Sequence, residues 1–143
     1  MSEKVVSIRL AEGADIDAIC ASDKFARQSS HRRELIKRNV LAGNCYIALA
    51  DGVLGYVMLE YSFYGNGFVS LLYVSENARR MGAGSALMRH AESVCQTDKL
   101  FTSTNMSNAI MQALLDKLGY ALSGVLHELD EGDPELVFFK KLR

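Results

Sequence analysis

Residues 45–74 constrain the fold more than any other part of the chain. They hold three apolar runs, "CYIALA", "VLGYVMLEYSFY" and "FVSLLYV", separated only by Asp51-Gly52 and by Gly65-Asn66-Gly67. Asp-Gly tolerates the positive φ of a tight hairpin turn, so the first two runs are predicted to pair antiparallel. The Gly-Asn-Gly segment is expected to make a second reversal. The last run has almost no polar face and reads as a strand covered on both sides. Three antiparallel strands in succession follow, which excludes a βαβ unit at this point of the chain.

The flanks supply the remaining elements. Residues 5–10 read as a strand, and Ile16, Ile19 and Phe25 recur loosely as on a helix. A second helix is predicted over 32–41. From Gly82 onward Ala83, Leu87, Ala91 and Val94 return at helical spacing as far as about Cys95. A strand over 99–104 and a helix over 108–118, stopped by Gly119, come next. Strands over 120–126 and 135–141, separated by an acidic turn, end the order. The string β-α-α-β-β-β-α-β-α-β-β predicts an α+β domain with a mixed sheet, here a single domain over 1–143. At 143 residues with 49% hydrophobic and 23% charged, such a domain can bury a sizeable core.

Composition also narrows function. A formal net charge of -1 gives no bulk attraction to nucleic acid or to an anionic membrane, and neither is expected as a partner. Cys20, Cys45 and Cys95 lie far apart with no C-x-x-C pair, so neither a zinc site nor a disulfide framework is indicated and no metal is expected. The start "MSEKVVSIRL" has no basic region followed by an apolar one, and no apolar run approaches the length of about 18 residues that a membrane helix needs. A cytoplasmic location is the expectation.

The junction Arg79-Arg80-Met81-Gly82-Ala83-Gly84-Ser85 follows an apolar strand and opens a helix. Helix starts expose unpaired N–H groups and a partial positive charge, and glycines let a phosphate approach them. Arg79 and Arg80 can add charge-assisted hydrogen bonds. No G-x-x-x-x-G-K-[ST] is present, and the hairpin-connected strands exclude a dinucleotide fold. Taken alone, the junction also reads as a solvated basic turn whose glycines only ease helix packing.

Two motifs together resemble the GNAT superfamily of N-acetyltransferases. Its [QR]-x-x-G-x-[GA] signature is met by Arg79-Arg80-Met81-Gly82-Ala83-Gly84, after Leu71-Leu72-Tyr73-Val74 in place of the usual apolar strand. Its N-x-x-A-x-x-L-Y-x-K-x-G-[FY] segment is met at Asn108, Leu114, Lys117, Gly119 and Tyr120, with Met111 where Ala is common. The resemblance spans roughly 5–141. It implies a GNAT-like, mostly antiparallel sheet of about seven strands with helices on both faces. It also implies acetyl-CoA as cosubstrate: the amides of 79–85 on the pyrophosphate, the backbone of Leu72, Tyr73 and Val74 on the pantetheine arm, and Asn105 and Asn108 as further contacts. Asn108 has an equal reading as the cap of its own helix.

The resemblance further implies direct transfer of acetyl to a primary amine of a small molecule or peptide in a bacterial enzyme of this type. Its catalytic pattern departs at two places. Where many members carry a helix Tyr as acid, this chain has Leu115, which cannot donate a proton; Tyr73, Ser103 and Ser107 are the alternatives, or solvent. Where many carry a strand Glu, this chain has Ser70. Glu60, which period-two alternation places with Tyr56, Met58 and Ser62, is the candidate base, or else an ordinary strand glutamate.

Asp130-Glu131-Gly132-Asp133-Pro134-Glu135 is either a solvated turn or a rim that draws a cationic amine. The basic stretch "HRRELIKR" from His31 reads as a solvated helix face, or, as the resemblance implies for the first two helices, as a rim of the acceptor site, and His90 and His127 read as packing or surface residues. Two readings stand at this level: an acetyl-CoA-dependent N-acetyltransferase, and an acyl-CoA-binding sensor with little activity. A homodimer is left open.

Overall fold

The computed structural model describes residues 5–143; the share of the leader and domain readings that falls on residues 1–4 lies outside them. The elements occur in the expected order: β1 (Ser7–Leu10), α1 (Ile16–Ser22), α2 (Ser30–Leu41), β2 (Cys45–Ala50), β3 (Gly52–Phe63), β4 (Asn66–Val74), α3 (Ala83–Val94), β5 (Lys99–Asn105), α4 (Ala109–Lys117), β6 (Ala121–Leu126) and β7 (Glu135–Lys141). The strands form one seven-stranded sheet in the order β1-β2-β3-β4-β5-β7-β6. β4 and β5 are parallel, and the pairs β1–β2, β2–β3, β5–β7 and β6–β7 are antiparallel.

Two compact units contribute to this order. One holds the described residues up to Leu59 together with Leu71–Ser93. Its core gathers Ile19, Ala26, Ile36 and Val40 from the first two helices and their connection with Cys45, Ile47, Tyr56, Met58 and Tyr73 from the strands. Four consecutive residues of β3, Tyr56 to Leu59, are buried, so this strand is covered on both faces and shows no alternation there. α3 buries Ala83, Leu87 and Ala91 of the stripe that its sequence spacing predicts, with Met88 in addition, while Val94 at its end is only half-buried. Ser29 caps α2 by accepting from the Arg32 amide at 3.2 Å.

The second unit holds Glu60–Ser70 and Val94–Arg143. Aromatic contacts tie its strands: Phe63 stacks on Phe68 at 4.7 Å between centroids and lies 5.2 Å from Phe101, which lies 6.0 Å from Phe139. The parallel register pairs Gly67 with Leu100, Phe68 with Phe101 and Val69 with Thr102. Thr102 Oγ1 donates to Val69 O at 3.0 Å at the end of that ladder.

The second hairpin turn differs from expectation. It is made by Tyr64 (φ 52) and Gly65 (φ 75), while Asn66 and Gly67 already belong to β4. A two-residue turn with both φ values positive matches the strand twist, and Tyr64 bears the cost of the left-handed conformation with its ring exposed. Gly67 is small for a different reason. A Cβ there would sit 2.4 Å from Cys95 Sγ.

Candidate functional site

In the first unit the chain leaves β4 at Val74 and runs through a 3-10 turn over Glu76–Met81, which the sequence reading did not anticipate. Buried Ala78 pins that turn, and its amide donates to Ser75 O at 3.0 Å. Gly82 closes it at φ 77, ψ 15, a left-handed conformation that side chains with a Cβ rarely adopt. Its carbonyl accepts from the Ala86 amide at 3.0 Å, the first bond of α3. The amides of Ala83, Gly84 and Ser85 therefore precede any carbonyl of their own helix, and a glycine has no side chain with which to cap them. Nothing lies within 4 Å of the position a Gly82 Cβ would take.

Arg79 and Arg80 are exposed on the same turn, and Arg79 Nε reaches Val74 O at 3.4 Å. Met81 and Ser85 are half-buried and Ala83 is buried. The structure thus brings the predicted residues 79–85 together at one helix start. Helix-start amides with no carbonyl partner in their own helix, the positive end of a helix dipole and two exposed guanidinium groups make a cradle that could hold a phosphate.

Beside the end of β4 lies a cleft of about 330 Å³, lined by Ala21, Ser22, Lys24, Arg27, Val53, Tyr73, Ser75, Glu76 and Asn77. Lys24 Nζ pairs with Glu76 Oε1 across 3.0 Å, and the hydrogen bond from Lys24 holds the Glu76 carboxyl below its ordinary pKa. The Tyr73 hydroxyl accepts from the Lys24 amide at 3.2 Å. Its ring packs edge-on against Phe25 at 6.0 Å and lies 5.8 Å from the ring of Tyr56.

Behind Tyr73 stands a buried polar cluster that sequence reading missed. Asp23 is fully buried. Its Oδ2 accepts from Tyr56 Oη at 2.5 Å and from Arg32 Nε at 2.9 Å, and Arg32 Nε also lies 3.1 Å from Tyr56 Oη. Its Oδ1 accepts from the amides of Phe25 at 2.8 Å and Ala26 at 3.3 Å. Burial pushes the Asp23 carboxyl up, but the bonds from Tyr56 and Arg32 outweigh it and the net shift is downward. Burial first, and then the bond to Asp23, drive the Tyr56 phenol far above its ordinary range. Arg32 is therefore not part of a solvated basic face, as "HRRELIKR" suggests; its side chain is 20% exposed and turned to Asp23. In the sequence Asp23 stands beside Lys24 in "CASDKF", and nothing there sets it apart from an ordinary solvated acid.

Leu72 and Val74, both half-buried, stand with Tyr73 on β4 in the first unit, and the remaining candidates lie in the second. Glu60 is half-buried and accepts from Ser62 Oγ at 2.7 Å. Ser103 Oγ donates to Glu135 Oε2 at 2.6 Å, and Ser107 Oγ donates to Asp133 Oδ2 at 2.6 Å, so both hydroxyl protons are committed to carboxylates. Asn105 Nδ2 donates to Asp130 Oδ2 at 2.8 Å. Asn108 Oδ1 accepts from the Met111 amide at 3.1 Å, which is the helix-cap reading. Leu115, at the place of the usual helix Tyr, is fully buried, and Ser70 is exposed. Among the described residues no group of His, Cys, Asp and Glu could hold a metal ion, and no helix is long and apolar enough to cross a membrane.

Comparison with known proteins agrees with the motifs. A model of the acetyltransferase (GNAT) family matches residues 14–120. A GNAT-family acetyltransferase from Bacillus cereus is 35% identical, with a TM-score of 0.90 over 96% of this chain and 97% of its own. An uncharacterized N-acetyltransferase from Methanocaldococcus jannaschii is 25% identical over 142 residues, 94% of this chain and 90% of its own length. A Salmonella typhimurium protein whose structure carries acetyl-CoA as its cofactor shares the fold, with a TM-score of 0.75 at 17% identity over 96% of this chain and 94% of that one. Motif, element order, sheet topology and these matches agree, and the chain belongs to the GNAT family of N-acetyltransferases.

Proposed function

We propose that this protein transfers the acetyl group of acetyl-CoA directly to a primary amine of a small molecule or peptide. The observation that carries the reading is the start of α3, where the uncapped amides of Ala83, Gly84 and Ser85 follow Gly82 and the exposed Arg79 and Arg80. Those groups would hold the pyrophosphate, and the backbone of Leu72, Tyr73 and Val74 would align the pantetheine arm. The bound cosubstrate supplies an activated acyl group and a thiolate leaving group. As the amine nitrogen bonds to the acyl carbon and the carbon–sulfur bond breaks, one proton leaves the nitrogen and one must reach the sulfur.

Tyr73 is the donor we assign to that sulfur. It lines the cleft, and its hydroxyl accepts a hydrogen bond from the Lys24 amide, which leaves its own proton to give. Ser103 and Ser107 have theirs bound to carboxylates. Buried Leu115 at the usual acid position favours the second reading, an acyl-CoA sensor with little turnover.

Thermal shift with acetyl-CoA, CoA and NAD, followed by turnover with a panel of primary amines, tests both. Stabilisation by the two CoA species and not by NAD is expected. No shift with either at millimolar concentration overturns the coenzyme site. A shift without turnover on any amine supports the sensor.

A further inference from the structure

The cluster around Asp23 is more than the cement of a helix connection, because one of its products is a hydrogen bond to a residue of the cleft. The Lys24 amide that donates to Tyr73 Oη belongs to the peptide group joining Asp23 to Lys24. The Asp23 carboxylate is gripped at both oxygens: Tyr56 Oη and Arg32 Nε on Oδ2, the amides of Phe25 and Ala26 on Oδ1. These bonds span β3, α2 and the turn after α1, so they fix the orientation of the 23–24 peptide against strands on which Tyr56 and Tyr73 stand. The Arg32 guanidinium carbon also lies over both rings, 5.4 Å from the Phe25 centroid and 5.9 Å from that of Tyr73.

A phenol oxygen held by one N–H donor keeps its own O–H for a partner elsewhere. We propose that Asp23 is a positioning residue for the acetyl transfer: through Tyr56, Arg32 and the Lys24 amide it sets the Tyr73 hydroxyl so that its proton points into the cleft. The inference rests on the assignment of Tyr73 as proton donor. Asp23 itself touches no ligand in this scheme; it acts through the peptide it anchors.

Asp23→Asn is a sharp perturbation because each carboxylate oxygen only accepts, whereas an amide NH2 in place of Oδ2 meets the donor-only Arg32 guanidinium, and one in place of Oδ1 meets the Phe25 and Ala26 amides. Tyr56→Phe removes the shortest bond together with the 3.1 Å contact from Arg32 Nε, keeps the Asp23 carboxylate, and serves where Asp23→Asn fails to fold. The acceptor for kinetics is whichever amine turns over best among spermidine, an aminoglycoside, free amino acids and short peptides with a free α-amine.

Each of the two variants should lower kcat about tenfold or more at unchanged KM for acetyl-CoA. Neither should lower kcat further in a Tyr73→Phe background, since residues acting in one chain are not additive. Independently of activity, the Lys24 amide should lose hydrogen-exchange protection in both variants while the amides within α3 keep theirs.

Wild-type Lys24 protection in a folded variant, or losses that simply multiply with that of Tyr73→Phe, overturns the proposal. If Tyr73→Phe keeps full kcat with CoA binding intact, the donor assignment fails instead, and the inference falls with it. If acetyl-CoA does not bind at all, the functional reading fails before either.

Discussion

Gly55 offers the most direct test of the idea that the end of β4 is a shaped coenzyme-binding segment. It sits in β3, paired with Ala48 of β2, and a Cβ built on it would lie 2.4 Å from the carbonyl oxygen of Tyr73 and 3.0 Å from Val74 Cα. Ordinary contacts of a Cβ begin at 3.4 Å, so Gly55→Ala must open a gap of 3.4 − 2.4 = 1.0 Å against backbone, which cannot rotate aside as a side-chain tip can. Overpacking of this kind costs about 1–3 kcal/mol. In a chain of 143 residues that lowers Tm by about 3–12 °C.

The displaced atoms are those of Tyr73 and Val74, the peptide proposed to align the thioester. A misplacement of about 1 Å costs on the order of a hundredfold in rate. Scanning calorimetry with and without CoA, together with turnover, reads both effects. Gly55→Ala with wild-type Tm, CoA shift and kcat would show that β4 yields freely at this point, and the segment would lose its claim to be a rigid template.

Other outcomes follow from the same geometry. Gly82→Val forces a β-branched residue to φ 77 and should abolish the CoA-induced thermal shift, checked against an unchanged circular dichroism spectrum. Glu60→Gln removes the basicity of a half-buried carboxylate and should lower turnover about a hundredfold near neutral pH, with partial recovery at alkaline pH, while the CoA shift survives; a wild-type pH profile rules Glu60 out as base. Asp15, bonded by Arg9 and by the Glu12 amide, has its carboxyl held at about 2, below the unfolded value. The stability it confers is thus present above an unfolded pKa of about 3.9 and lost as pH falls towards 2, so Asp15→Asn should flatten the acid limb of a Tm-against-pH curve. The Cys45 thiol, pushed up to about 12 by burial, should resist alkylation at pH 8 until the chain unfolds.

The fold was legible because its signals are local. Asp51-Gly52 marks the first hairpin turn, Ala83, Leu87 and Ala91 recur on one helix face, and Asn108 caps α4, each within a few residues of sequence. The motif at 79–85 was legible for the same reason. Glycine is the place where local reading fails, since the residue records only that a Cβ is unwelcome. In Gly65 the cause is a turn; in Gly67 it is Cys95 Sγ, which packs from a later part of the chain. The Asp23 cluster escaped notice because its partners stand 9 and 33 residues away, and no periodicity in "CASDKF" or "HRRELIKR" points from one to the other.

The acidic turn after β6 shows how the structure changes the meaning of a charge cluster. Four carboxylates in six residues suggest a lure for a cationic acceptor. Yet Asp130 accepts from Asn105, Asp133 from the amide and hydroxyl of Ser107, and Glu135 from Ser103, while the Pro134 carbonyl accepts from the Met106 amide. The donors are neutral, so the negative charge persists, but three of the four carboxylates also hold residues 103–107 in place, where β5 gives way to α4. Removing one of them would break a tie between the turn and that junction. An acceptor preference tested by neutralising this turn would therefore be confounded with loosening of the β5–α4 connection, except at Glu131. Glu131→Gln is the substitution that separates attraction from architecture, because it removes a charge of the turn and leaves each of these hydrogen bonds in place.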